Sequence, residues 1–160
     1  MRVRTFFALA SLCAAAAACD TETTGPTCVE TISTVAATRG DTVVTTTGLR
    51  YINQRAGSGA AATACTEVGV HYTLFVNNAA VDSLRDPARV FAVTPGRRPA
   101  EAIPGFLEGL LGLQVGSQRR LIIPPSLGYG SQPVVNPQTG QVLIPGNSTL
   151  VFDVDVRQLR

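Results

Sequence analysis

The chain has no Trp and no Lys, a single His and a single Met, and each scarcity closes off a class of function. With His71 as the only imidazole, a Ser–His–Asp triad has one place to be built, and no Gly-rich phosphate loop is present. Charged residues make up only 15% of the chain, too sparse for a disordered acidic or basic protein. All 13 basic residues are Arg, scattered rather than gathered into a stripe, and the net charge is +2, so no nucleic-acid partner is expected. Beyond residue 18 no apolar run approaches the roughly 20 residues needed to cross a bilayer. What remains is a chain of 160 residues, 45% apolar, with enough core-forming material for one small domain.

The start of the chain reads as an export signal. Arg2 and Arg4 precede an apolar run from Thr5 to Ala18 that is too short for a stable span but suits a signal peptide. Ala16-Ala17-Ala18-Cys19 sets small residues directly before a cysteine and resembles the lipobox of bacterial lipoproteins. That likeness implies a signal peptide at 1–18 and lipidation of Cys19; ordinary cleavage after an Ala-x-Ala is the alternative. Leu12 is too large to precede a cleavage site, which sets Cys13 aside. Residues 19–28 are small and polar, a tether ahead of a domain at 29–160. The expected location is therefore exported, periplasmic or cell-envelope, with the chain held to a membrane by its lipid.

Processing alters two counts. Arg2 and Arg4 leave with the signal, so the remaining basic residues match the 11 acidic ones and electrostatic steering of a charged partner is not expected. Of the four cysteines, Cys28 and Cys65 are left over. In an oxidising compartment such a pair most often forms a disulfide, here stabilising by roughly 3–4 kcal/mol; two separate thiols is the alternative. No His or third Cys stands at metal-ligand spacing around them, so no metal is expected, and no cofactor either.

From Val29 onward the pattern is β. Val43-Val44, Leu49–Ile52, Val68–Val76, Val90–Val93, Arg119–Ile123 and Thr149–Val156 read as strands, with turn-rich Arg55–Gly59 between the second and third. In the third, Val70, Tyr72 and Leu74 share one face and His71, Thr73 and Phe75 the other. Asn77-Asn78 predicts a hairpin turn. Ile103, Phe106, Leu107, Leu110 and Leu111 repeat at helical spacing after Pro104, with Gly112 as the stop, so a short helix spans 103–111. Residues 126–147 read as a long Gly/Pro/Asn loop. The expected fold class is α+β: a curled antiparallel β-sheet wrapped over one short α-helix.

Val70-His71-Tyr72-Thr73, Val81-Asp82-Ser83, Ile103-Pro104-Gly105-Phe106, Pro125-x-x-Gly128-Tyr129-Gly130, Ile144-Pro145 and Leu150–Val154 follow one another in this order. The series resembles the FKBP-type peptidyl-prolyl cis–trans isomerases. Thr47–Tyr51 with Gly57-x-Gly59 resembles the opening strand of their exported bacterial members, and the likeness covers residues 47–160. It implies an FKBP-like fold and an isomerase acting on Xaa–Pro bonds of exported or envelope proteins, a monomer whose partners are proline-containing polypeptides. By resemblance, the catalytic positions are Tyr72, Asp82, Ile103, Tyr129 and Phe152. The substrate-binding positions are Val81, Phe91, Ala102, Phe106 and Ile144. Phe106 takes the place of the family's usual Trp as the floor beneath the proline ring. The Ile103 N–H and the Tyr129 hydroxyl would bond substrate carbonyls, and Tyr72, Asp82 and Phe152 would wall the twisting amide.

This chemistry suits a chain without nucleophile, metal or acid–base pair. Rotation about Xaa–Pro crosses a barrier of ~18–20 kcal/mol set by amide resonance, and no bond breaks. A dry pocket favours the twisted amide, which has lost charge separation, and a few placed hydrogen bonds complete the effect. The chain also departs from the family. Val81 and Arg89 stand where aromatics are usual, Ala102 lacks a branched side chain, and the 131–142 loop offers no aromatic or His over the pocket. The departures imply a weaker isomerase with reduced affinity for the macrolide inhibitors of the family. The alternative is a catalytically weak FKBP-fold chaperone or peptide-binding lipoprotein.

Overall fold

A computed structural model describes residues 40–160. The signal at 1–18, Cys19, the tether at 19–28 and Cys28 lie outside the described residues.

Nine strands and one helix follow in chain order: β1 Thr42–Val44, β2 Arg50–Arg55, β3 Val68–Val76, β4 Ala79–Leu84, β5 Phe91–Val93, α1 Pro104–Leu110, β6 Gln118–Ile123, β7 Val134–Val135, β8 Val142–Ile144 and β9 Leu150–Leu159. Seven of the strands form one antiparallel sheet in the order β1-β2-β6-β9-β3-β4, with β5 beside β4 on the same edge of β3. β9 is the longest strand; it pairs with β3 from Leu150 to Leu159 and with β6 over Leu150–Asp155. Its inward positions Leu150, Phe152, Val154 and Val156 are buried while Val151, Asp153 and Asp155 face outward, the period-2 alternation of a sheet with one covered face. On the outer face Arg120 forks onto both oxygens of Asp153 at 2.7 Å.

The helix lies on the inner face against β6. Gly105 and Gly109, one turn apart, meet the sheet: a Cβ on Gly105 would stand 2.5 Å from Ile123 Cγ2, and one on Gly109 would stand 2.5 Å from Leu121 Cδ2. Phe106, Leu107 and Leu110 on the same side are buried in the core with Leu49, Val70, Leu121, Ile123 and Leu150. The far end of the helix is fixed by Arg119, a buried β6 residue. It donates through Nη1 to the carbonyls of Gly109 (2.8 Å) and Leu111 (3.1 Å), donates through Nε to Asn53 Oδ1, and lies 4.2 Å over the ring of Tyr51. Burial pulls its guanidinium down to about 10, with the charge of Tyr51 acting the other way. Near the other edge, Thr47 donates to the Glu108 carboxylate, tying the β1–β2 turn to the helix.

The sheet-over-helix architecture is as expected, and the helix, the inward face of β3 and the Asn77-Asn78 turn stand where the pattern placed them. Both asparagines have positive φ (50° and 64°), as a two-residue hairpin turn requires. Three readings need correction. β4 is a full strand in a stretch not read as one, because most of its residues are exposed and carry no apolar alternation. β9 runs three residues past Val156, carried by pairing with Val68 and Gly69. The 126–147 region is not all loop: it holds a 3-10 turn at Pro125–Leu127 and the small hairpin β7–β8.

Gly109→Ala separates two opposing effects. In an open helix interior the change gains about 1 kcal/mol, but here the methyl meets Leu121, which is fully buried. Overpacking of a core costs about 1–3 kcal/mol, so urea denaturation is expected to show a net loss of stability.

Candidate functional site

Where the N-terminal end of α1 faces β3, β5 and β9, the inner face opens into a cavity of about 150 Å³. This is below the roughly 300–1,000 Å³ of pockets that engulf a drug-sized ligand, and suits a single side chain. Four aromatic rings build its interior. Phe106 is central, 2% exposed, with its centroid 4.9 Å from Phe152, 5.9 Å from Phe91 and 6.2 Å from Tyr72. Tyr72 meets Phe91 at 5.7 Å and Phe152 at 5.9 Å, mostly edge to face, the favoured arrangement for ring quadrupoles. Phe106 and Phe152 are thus core residues that also line an open cleft, although little of either is exposed.

The polar groups lie on the solvent side. The Tyr72 hydroxyl donates to Asp82 Oδ2 at 2.7 Å. Burial, and next the Asp82 carboxylate, push the Tyr72 phenol well above its ordinary value, so it stays a hydrogen-bond donor at any physiological pH. Tyr129 is 42% exposed on the loop after the 3-10 turn. That loop is pinned next to the ring at Gly130, whose N–H donates to Pro125 O and whose carbonyl accepts from the Asn147 N–H. Ile103 caps the helix in an extended conformation, its carbonyl accepting from Phe106 and Leu107. Its own N–H has no acceptor among the described residues and borders the cavity.

Of the residues read from the sequence, the cavity brings together Tyr72, Asp82, Phe91, Ala102, Ile103, Phe106, Tyr129 and Phe152. It does not include Val81 or Ile144. Val81 is the extra residue of a β-bulge between the Leu74–Asp82 and Phe75–Ala80 pairs, and it is exposed. Ile144, the last residue of β8, is 5% exposed and packs into the core. Two lining residues were missed. Leu74 follows from the alternation that placed Val70 and Tyr72 inward; Glu101 had no local signal. Away from the cavity, His71 donates through Nε2 to the Arg89 carbonyl at 2.9 Å, a structural role. Cys65 is exposed in the β2–β3 connection. No group of three or more His, Cys, Asp or Glu able to hold a metal ion occurs among the described residues.

Comparison with known proteins returns the same series. The family model for FKBP-type peptidyl-prolyl cis–trans isomerases matches residues 59–157. The chain is 36% identical over 108 residues to FK506-binding protein 3 of Candida albicans, covering 68% of this chain and 23% of that protein. It is 34% identical over 113 residues to the FKBP-type isomerase FkpA of Buchnera aphidicola, covering 70% and 42%. In three dimensions it is similar to FkpA from Escherichia coli, with a TM-score of 0.60 at 31% identity over 74% of this chain and 51% of the other. The chain thus spans less than half the length of either curated relative.

The Tyr72–Asp82 pair gives a test by titration. The raised phenol contributes stability that is complete below the unfolded phenol's value of about 10 and is lost as pH climbs past it. Asp82→Asn removes the charge but not the burial. Tyrosinate absorbance is expected to show one phenol titrating earlier than in the wild type but still late, with stability falling less steeply above pH about 10.

Proposed function

From the membership of this chain in the FKBP-type peptidyl-prolyl cis–trans isomerase family, we propose that it catalyses cis–trans isomerisation of Xaa–Pro bonds in polypeptide substrates, assisting their folding. The observation that carries this reading is the aromatic-floored cavity with its polar groups confined to the rim. A proline ring seated on Phe106 is held between Phe91, Phe152 and Tyr72. The preceding amide then lies near the Tyr72–Asp82 pair. Its carbonyl loses charge separation as the bond twists, and an apolar wall disfavours the planar, charge-separated ground state more than the twisted one. The Ile103 N–H and Tyr129 hydroxyl accept the remaining task of holding substrate carbonyls in register.

The finer parts of the proposal concern place and partners. Lipidation at Cys19, with the chain exported to the periplasm or cell envelope, is supported by the small residues before that cysteine and the short apolar run ahead of it. A Cys28–Cys65 disulfide is supported by the exposure of Cys65 and the oxidising compartment that export implies. A monomer is the proposed state, and reduced affinity for macrolide inhibitors is supported by the small side chain of Ala102 in the cavity wall. The second reading, a peptide-binding chaperone of the same fold, is favoured by the departures from the family at Val81, Arg89 and Ala102.

Isomerisation of short Xaa–Pro peptides by the full chain tests the enzyme reading. Phe152→Ala, in a folded variant, is expected to lower kcat/KM by tenfold or more. Tyr129→Phe removes a bond worth about 0.5–1.5 kcal/mol, hence a loss of roughly two- to tenfold. A folded wild type that leaves every peptide at its spontaneous rate would refute catalysis and favour the chaperone reading. Membrane fractionation of cells producing the chain is expected to shift it from the membrane to the soluble exported fraction on Cys19→Ala.

A further inference from the structure

Glu101 borders the cavity, yet both of its carboxylate oxygens are engaged within the chain. Oε2 accepts from the backbone N–H of Thr94 at 2.9 Å, and Oε1 accepts from Arg97 Nη1 at 2.8 Å. Thr94 follows directly on β5, whose ladder with β3 ends at the Val68–Val93 pair. Its N–H is therefore past the last strand partner, and the residue is 9% exposed, so water is a poor substitute acceptor. The first half of the intervening loop is anchored elsewhere: Gly96 N–H donates to Ala64 O at 2.7 Å, with no space for a Cβ at Gly96, and Arg97 N–H donates to Thr94 O. The stretch leading into the helix has Glu101 as its attachment. Ala102 and Ile103, the next two residues, are cavity wall, and the Ile103 carbonyl begins the helix that carries Phe106.

We propose that Glu101 is a positioning residue of the isomerase site: its carboxylate, clipped to the Thr94 N–H and braced by Arg97, fixes the gap between the β5 wall bearing Phe91 and the helix entrance bearing Ala102 and Ile103. This rests on the isomerase reading. The clip is the polar tie between two walls that otherwise touch through the Phe91 and Phe106 rings, and its length sets where the Ile103 N–H stands relative to the aromatic floor. Because Arg97 already balances the charge of Glu101, the carboxylate acts on geometry, and its effect is independent of the charge of the substrate residue before proline.

The test compares Glu101→Ala, Glu101→Gln and Arg97→Ala in the full chain. The substrates are three peptides with Ala, Lys or Glu before Pro, and exchange of the Thr94 amide hydrogen and urea stability are followed in parallel. Glu101→Ala is expected to lose about tenfold in kcat/KM, equally on all three peptides, as displaced substrate contacts do, and to speed Thr94 exchange. Glu101→Gln keeps a carbonyl oxygen for the Thr94 N–H and is expected to return to within about threefold of wild type, as is Arg97→Ala, which leaves the clip itself in place. Should Glu101→Ala not fold, Glu101→Asp, one methylene shorter, takes its place in the same comparison. Unchanged kcat/KM in a folded Glu101→Ala overturns the proposal, as does a loss that depends on the peptide's charge, which would make Glu101 a substrate contact. An equal loss in Glu101→Gln also overturns it. An inactive wild type brings down the isomerase reading and the proposal together, whereas an active wild type with an unaffected Glu101→Ala brings down the proposal alone.

Discussion

The seating of α1 on β6 is the constraint from which the rest of the domain follows. A helix of seven residues forms too few intrahelical bonds to persist alone, so it exists because the sheet holds it. Two glycines a turn apart let its backbone come down onto Leu121 and Ile123 without intervening side chains. Arg119, reaching up from the same strand, satisfies carbonyls at the end where the helix would fray. Among the described residues the arginine has no carboxylate partner; its charge rests on carbonyl dipoles, an amide and the face of Tyr51. Removing either device would move the helix, and with it Phe106.

The site is a by-product of that packing. A helix held close at Gly105 and Gly109 presents Phe106 at a depth where Phe152, Phe91 and Tyr72 can surround it. Three of these rings come from strands, β3, β5 and β9, that are hydrogen-bonded to one another, so their spacing is set by the sheet and not by mobile loops. The polar complement comes from less regular places: a bulged strand for Asp82, a loop pinned at Gly130 for Tyr129 and a helix cap for Ile103. Rigid apolar floor and loop-borne polar rim is the division expected when a site must exclude water while still admitting a polypeptide.

Most of the architecture was legible in the sequence. The period-2 pattern of β3 and β9 and the apolar stripe after Pro104 are strong because each element has one covered face, and they located the sheet and the helix; the ten site residues came from the family resemblance, and eight of them line one cavity. What escaped lacks such a face. β4 sits at an edge with little burial, so no alternation marks it. β7 and β8 have two and three residues, too few to show a period. Val81, expected from the resemblance, lies outside the cavity as the exposed extra residue of a bulge, which no pattern of side chains announces. Glu101 was missed for a different reason: its role depends on where the 94–101 loop turns back, a matter of tertiary geometry alone.

The place of β9 in the sheet has a consequence in time. Residues 150–159 are the last of the described strands in chain order, yet they fill the centre, between β6 on one side and β3 on the other. Until they are available, β1, β2 and β6 have nothing to join them to β3, β4 and β5, and the two halves can form only separate ribbons with bare apolar faces. Assembly is therefore dominated by pairings distant in sequence, such as Val68 with Leu159, which slow folding because loop closure precedes any gain. A chain of this topology cannot close its sheet until β9 has been made, so its core stays open through most of synthesis.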